Sequence, residues 1–295
     1  MLDLLTSILY YHYMKKYLSH YSAAKLWEIP YVEAVLGSKI TESKEVHFTV
    51  SRRNTMWETK GYKIHWCKVA LPAKSVLPRN GMMVASPELV FLQLARELDI
   101  HQLILLGLQL CSHPPGDPIV SITTKQKLNT FITKASGHQG RRKALRAIKY
   151  VENGSASIME SIVYMILTLP HALGGYGLSG AKFNCEIKLS NEAGKRLGQR
   201  RCFADLYYKS AKLAIEYDSF SFHNSPSAQG KDSIRSAILH RHGIEVMHFT
   251  TIQLYNERAC ADFAFNLASR LGKRIHIRTK KFDEMNEQLR ALLPT

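Results

Sequence analysis

The chain has 295 residues, 45% of them hydrophobic and 22% charged, which suits two folded domains and excludes disordered and fibrous classes. Forty Lys and Arg against twenty-four Asp and Glu give a formal charge of +16, a surplus that attracts nucleic acid or, failing that, an anionic membrane surface. Five scattered cysteines, an odd number with no pair at zinc-ligand spacing, argue against a secreted disulfide framework and point to the cytoplasm.

No apolar run reaches the roughly 18 residues of a membrane span, and the apolar start lacks the basic leader of a signal peptide. Roughly the first 20 residues read as a helix with Leu5, Ile8 and Leu9 on one stripe. Ser19–Trp27 predicts a capped helix that stops before Pro30. Val46–Val50 and Tyr62–Cys67 alternate like half-buried strands. Ser86-Pro87-Glu88 opens a helix that runs through Ala95, and Ile100–Cys111 predicts another. These elements make residues 1–111 a small α+β module.

SHPPGDP over 112–118 breaks the pattern, so 112–154 reads as a linker with a helix over Thr123–Thr133 and a basic helix after it. Lys134–Lys149 holds six basic residues and no acid. Arg141, Arg142, Lys143 and Arg146 stand largely opposite Leu145 and Ile148. Such a helix contacts phosphates or simply presents a solvated face.

From 155 the predicted order is a helix (Ser157–Leu169), three strands (Phe183–Leu189, Cys202–Tyr208, Leu213–Tyr217), a helix (Asp232–His242), a strand (Ile244–Phe249) and a last amphipathic helix (Asn256–Leu271). Helices flanking a mixed sheet account for that order, which gives an α/β fold.

Asp205 lies in one of these strands, and Glu216 and Asp218 in the next, with Lys209–Lys212 short enough for a hairpin turn. Alternation puts Glu216 and Asp218 on one face. Three converging carboxylates repel one another unless a cation lies among them, and Mg²⁺ suits such all-oxygen sites; exposed acids paired with Lys209 or Lys212 are the plainer alternative. Glu160, in Ser157-x-x-Glu160, reads as a capping box or as a further site acid. His223 reads as a proton shuttle, a phosphate contact or a surface residue. Arg235 pairs with Asp232 one helical turn away or holds a phosphate. Lys195–Arg201, with Arg200 and Arg201, and Lys273–Lys281, with Lys273 and Arg274, are further acid-free basic runs.

The stretch from Glu160 through Ala204-Asp205-Leu206, Ala214-Ile215-Glu216-Tyr217-Asp218, His223, Asp232, Arg235 and His242–Thr250 resembles the very-short-patch-repair (Vsr)-like endonuclease domains. These belong to the PD-(D/E)xK, or restriction-endonuclease-like, superfamily. Leu18–Trp27, Val46–Val50 and Ser86-Pro87-Glu88 are similar to the AbiEi-type antitoxin or regulator module. The resemblance implies a restriction-endonuclease-like domain over 155–295 that cleaves DNA with Mg²⁺ or Mn²⁺. Asp205, Glu216 and Asp218 would hold the metal, with Glu160 and His223 beside it, and a protein partner encoded with the chain is also implied. Two departures stand out in this half: the superfamily's lysine position is Asp218, which leaves the water-activating group unassigned, and Ser219 stands where a glycine is common. The short stretch before Ser19 also leaves little room for a full winged helix. A DNA-binding regulator with an inactive nuclease fold is the alternative.

Overall fold

The structure is a computed structural model that describes residues 16–37, 45–53, 60–188, 191–197, 201–218 and 235–294. The chain divides into two units, residues 1–111 with 121–151 and residues 112–120 with 152–295. Each is mixed α/β, a sheet with helices.

The first unit is built on five short strands: β1 (Lys16–Leu18), β2 (Val46–Val50), β3 (Tyr62–Trp66), β4 (Val76–Arg79) and β5 (Met82–Ala85). Their order is β3-β2-β1-β5-β4, with β2 and β3 parallel and β1 antiparallel to β2. The helix expected at the start of the chain falls mainly outside the described residues. Its last three are β1 instead, because Tyr17 and Leu18 are buried between β2 and β5.

Helix α1 (His20–Leu26) follows β1 directly, and α2 is Val32–Leu36. Helix α3 (Pro87–Leu94) starts as its sequence predicts, with the Ser86 hydroxyl accepting the Leu89 N–H. Helix α4 (Ile100–Leu110) starts with a capping box between Asp99 and Gln102 and buries nearly all of its apolar side chains. Helices α5 (Lys125–Lys134) and α6 (Arg141–Ile148) pack on α3 and α4. The expected linker over 112–154 therefore does not hold. Leu128, Ile132, Ala144, Ala147 and Ile148 are buried in the first unit's core, and that burial fixes 121–151 there.

In the second unit, α7 (Ile158–Thr168) is capped by Ser157. Four strands follow in sheet order, β6 (Lys182–Lys188), β7 (Arg201–Tyr208), β8 (Leu213–Asp218) and β9 (Glu245–Thr250). The first three form an antiparallel meander, and β9 returns parallel to β8. A helix over 235–241 (α9) lies between β8 and β9, and α8 (Asn191–Leu197) between β6 and β7.

The helix-meander-helix-strand order read from the sequence is thus present. After α10 (Thr251–Tyr255), the predicted last amphipathic helix is present as α11 (Glu257–Arg270), while α8, α10 and α12 (Phe282–Arg290) are additions to the expected order. Phe249 of β9 stacks on Phe263 of α11 at 4.2 Å, and α12 is tied to the fold by the Asn286 amide donating to the Gly174 carbonyl at 2.7 Å. No helix among the described residues is long and apolar enough to cross a membrane.

Candidate active site

The β7–β8 hairpin turns through Lys209–Lys212, with Lys212 in the left-handed region at φ 48°. Its ladder pairs Tyr208 with Leu213, Tyr207 with Ala214 and Leu206 with Ile215. One step further, the Asp205 carboxylate accepts the Tyr217 backbone N–H at 2.9 Å. A side chain thus occupies the place of the next backbone acceptor, and this contact holds Asp205 beside Glu216.

Glu216 is only 7% exposed. Both of its oxygens accept from one Arg235 nitrogen, at 2.8 and 2.9 Å. Arg235 stands at the start of the described part of α9 and also donates to the Phe203 carbonyl and to Cys202 Sγ. Sequence spacing suggested Asp232 or a phosphate as its partner; the structure gives it Glu216.

Glu160 takes part in the helix cap without closing the expected capping box. Its N–H donates to Ser157 Oγ at 3.1 Å, and its carboxylate accepts the N–H of Ala156, the residue before the cap, at 3.0 Å, so the reciprocal bond to Ser157 that defines a capping box is replaced by one to its neighbour. The same carboxylate oxygen accepts the Asn184 amide at 2.8 Å, and the side chain is buried close enough to Asp205 to feel its charge. Asp218 lies at the end of β8, with its carboxylate 3.0 Å from His248 Nδ1. His248 sits across the parallel ladder from Glu216.

Burial dominates the electrostatics. Burial and then the Asp205 charge push the Glu160 carboxyl up to about 7. The same two causes push Glu216 up to about 8, with Arg235 pulling the other way. Asp205 is also raised, mainly by burial, against the Tyr217 N–H and Arg235. Such raised acids in one place carry repulsion that protons or a cation must relieve.

The donor chemistry suits a hard divalent cation, because carboxylate oxygen predominates. The spacing is looser than the sequence reading expected. Among the described residues, the only three His, Cys, Asp or Glu side chains whose ligand atoms all lie within 4.8 Å of one another are His20, His47 and His65, in the first unit. Asp205, Glu216 and Asp218 do not form such a set. Each is engaged by a different neighbour: the Tyr217 N–H, the Arg235 guanidinium and the His248 ring.

The expected phosphate contacts divide in the same manner. Arg141 donates to the Ile132 and Thr133 carbonyls, and Lys143 to the Leu98 carbonyl, so both tie the first unit together. Arg142 and Arg146 are exposed, with Lys149 continuing their stripe. Arg201 pairs with Glu186 at 2.7 Å, and Lys273 donates to the Ser179 carbonyl at 2.9 Å. Arg274 is exposed beside a cavity of about 520 Å³ that Lys273 and His276 also line. His223, Asp232 and Arg200 lie outside the described residues.

No pattern in the sequence singles out Asn184 or His248. Asn184 has φ 43° inside β6, a conformation asparagine tolerates better than most, and its amide links the Gly154 carbonyl to Glu160. Neither residue type carries a spacing signal; only the sheet register brings them in. Compared with known proteins, the chain matches no family model, no curated protein and no solved structure, so the reading of this site rests on its geometry and on the sequence pattern.

Proposed function

We propose that the second unit hydrolyses phosphodiester bonds in DNA, with Asp205, Glu216 and Asp218 holding Mg²⁺ or Mn²⁺. The observation that carries this reading is the gathering of Glu160, Asp205 and Glu216 from α7, β7 and β8 in one buried place, with two of the carboxyls pushed to about 7 and about 8. The order of a helix, an antiparallel meander, a helix and a parallel strand supports a restriction-endonuclease-like core.

A bound divalent cation supplies neutralising charge and a more acidic water. The chain's own residues supply the rest. Glu160, with a carboxyl near 7, sits where a group can take or give a proton at neutral pH. Tyr217 N–H fixes the Asp205 carboxylate, and Asn184 fixes that of Glu160. An Arg235 guanidinium released from Glu216 could pair with a phosphate oxygen instead. Exposed Arg142, Arg146 and Arg274 give DNA backbone contacts whose strength falls steeply with salt.

The test is a divalent-metal titration on supercoiled plasmid, with wild type beside Asp205→Ala. Nicking or linearisation that requires Mg²⁺ or Mn²⁺, and that Asp205→Ala loses while still binding DNA, supports the proposal. No cleavage by wild type with either metal removes it. One observation favours a second reading, a DNA-binding regulator with an inactive nuclease fold: Arg235 already neutralises Glu216, one of the three expected metal ligands. Tight duplex binding without cleavage selects that reading.

A further inference from the structure

The first unit holds a cluster that the nuclease reading does not use. His47 of β2 and His65 of β3 lie on one face of a parallel pair whose register matches His47 with Lys63 and Thr49 with His65. They are diagonal neighbours, and His65 Nε2 stands 3.0 Å from His47 Nδ1. His20 enters from the junction of β1 and α1, where the Ser19 N–H donates to the His47 carbonyl at 2.9 Å. Its ring lies over that of His65, with centroids 3.6 Å apart.

We infer that His20, His47 and His65 form a binding site for one divalent transition-metal ion of the zinc type. The three rings each offer a nitrogen, and these atoms all lie within 4.8 Å of one another. Two imidazole nitrogens sharing a tetrahedral ion at about 2.0–2.1 Å lie roughly 3.3 Å apart, close to the 3.0 Å seen for His65 and His47. A single N–H···N hydrogen bond accounts for that pair but not for the third ring.

His20 is held in place at a conformational cost. Its φ is 50°, a left-handed value that is unfavourable for a non-glycine residue and persists where the surroundings demand it. Its Nδ1 is 3.0 Å from Ser19 Oγ. With Nδ1–H donated there, Nε2 keeps its lone pair. The Ser19 hydroxyl also accepts from Thr49 Oγ1 at 2.8 Å, which is in turn contacted by the Gln93 amide. A hydrogen bond to the far nitrogen of a metal-binding histidine fixes its tautomer in this way.

Burial is the largest cause that holds all three imidazoles below their ordinary pKa; neighbouring rings add to it for His20 and His65, and Lys63 for His47 against Glu97 and Glu45. Glu97 Oε1 lies 3.9 Å from His20 Nε2 and offers negative charge or a fourth ligand. His65 is only half-buried, which leaves room for water. Imidazoles with one carboxylate suit zinc, copper or nickel rather than magnesium, and this separates the site from the acids of the second unit.

The experiment titrates the full chain, freed of metal by chelation, with Co²⁺ and then Zn²⁺. One equivalent of Co²⁺ should give the visible bands of four- or five-coordinate cobalt without thiolate charge transfer, and Zn²⁺ should displace it. His65→Ala and His47→Gln should each weaken binding at least tenfold, while His138→Ala leaves it unchanged. Should either variant fail to fold by circular dichroism, X-ray absorption at the zinc edge of the wild-type protein decides, with scattering from about three imidazoles expected. No stoichiometric binding, a sulfur or oxygen-only shell, or binding indifferent to both folded variants overturns the inference. Plasmid cleavage plays no part in the readout, so the two sites are tested apart.

Discussion

Replacing Glu160 by Gln isolates one acid of the buried cluster without removing a hydrogen-bond acceptor. The amide oxygen can still accept from Ala156 and Asn184, and the volume is nearly unchanged. In the wild-type protein the carboxyl is raised from 4.5 to about 7, by burial first and by Asp205 second. The sign follows from linkage: a group raised in the folded state gives its full stability below its unfolded pKa and loses it as pH rises through the folded value. The displacement corresponds to about 3 kcal/mol at roughly 1.4 kcal/mol per pH unit. This is an upper figure, because the charge on Asp205 shares it. For a unit of this size that is about 6–12 °C of melting temperature.

The assay is thermal unfolding from pH 5 to 9 in chelator, followed by far-UV circular dichroism beside tryptophan fluorescence. All three tryptophans, Trp27, Trp57 and Trp66, belong to the first unit, so fluorescence serves as the internal reference. Wild type should lose stability between about pH 5 and 8, and Glu160→Gln should lose clearly less, the remainder coming from Glu216. Parallel pH profiles for the two proteins would refute the buried, charge-crowded Glu160 on which the argument rests.

Removing the guanidinium in Arg235→Ala leaves Glu216 buried without its partner, so its pKa should rise above about 8. Urea unfolding should show a loss of about 2–4 kcal/mol at pH 9 and a much smaller one at pH 6, where Glu216 is protonated. An equal loss at both pH values would mean that Arg235 acts by packing alone. Replacing Arg142, Arg146 and Lys149 together by Gln should lower the salt slope of DNA binding by up to about 3. A slope unchanged in fluorescence anisotropy from low to moderate salt would make that stripe a solvated face. At pH 8 to 9, Mg²⁺ or Mn²⁺ should raise the melting transition of wild type and should do so far less in Asp205→Ala; equal effects in both would place the cation elsewhere.

Much of the fold was legible because burial sets the period of the sequence. Val46–Val50, the Ser86 cap and the meander from β6 to β8 follow from alternation and capping, which are local. Strand β4 escaped because Pro78 interrupts it, and a proline within a run argues against a strand away from a sheet edge; β4 is indeed at the edge. The charge of helix α6 conceals the buried Ala144, Ala147 and Ile148, which gives the segment the look of a linker in sequence. In the site, Asp205 and Glu216 could be paired from the short turn between their strands. The Arg235 contact with Glu216 depends on where α9 packs, and no spacing rule encodes that. His20, His47 and His65 were illegible for a similar reason. They are far apart in sequence, and only the parallel β2–β3 register together with the entry of α1 from β1 brings their rings together.

The charge balance of the acid cluster decides what can approach it. Among the described residues, Arg235 contacts Glu216 and His248 contacts Asp218; four unprotonated carboxylates outweigh those two groups, and a phosphodiester would bring more negative charge. The structure holds the cluster together partly by keeping Glu160 and Glu216 prone to protonation and partly by Arg235. Neither device is compatible with a bound phosphate unless positive charge enters, because an Arg235 that turns to the phosphate uncovers Glu216. Under the proposed nuclease function, cation and phosphate binding would therefore be coupled at this site: the first would make the second tolerable, and release of Arg235 from Glu216 would link the two events.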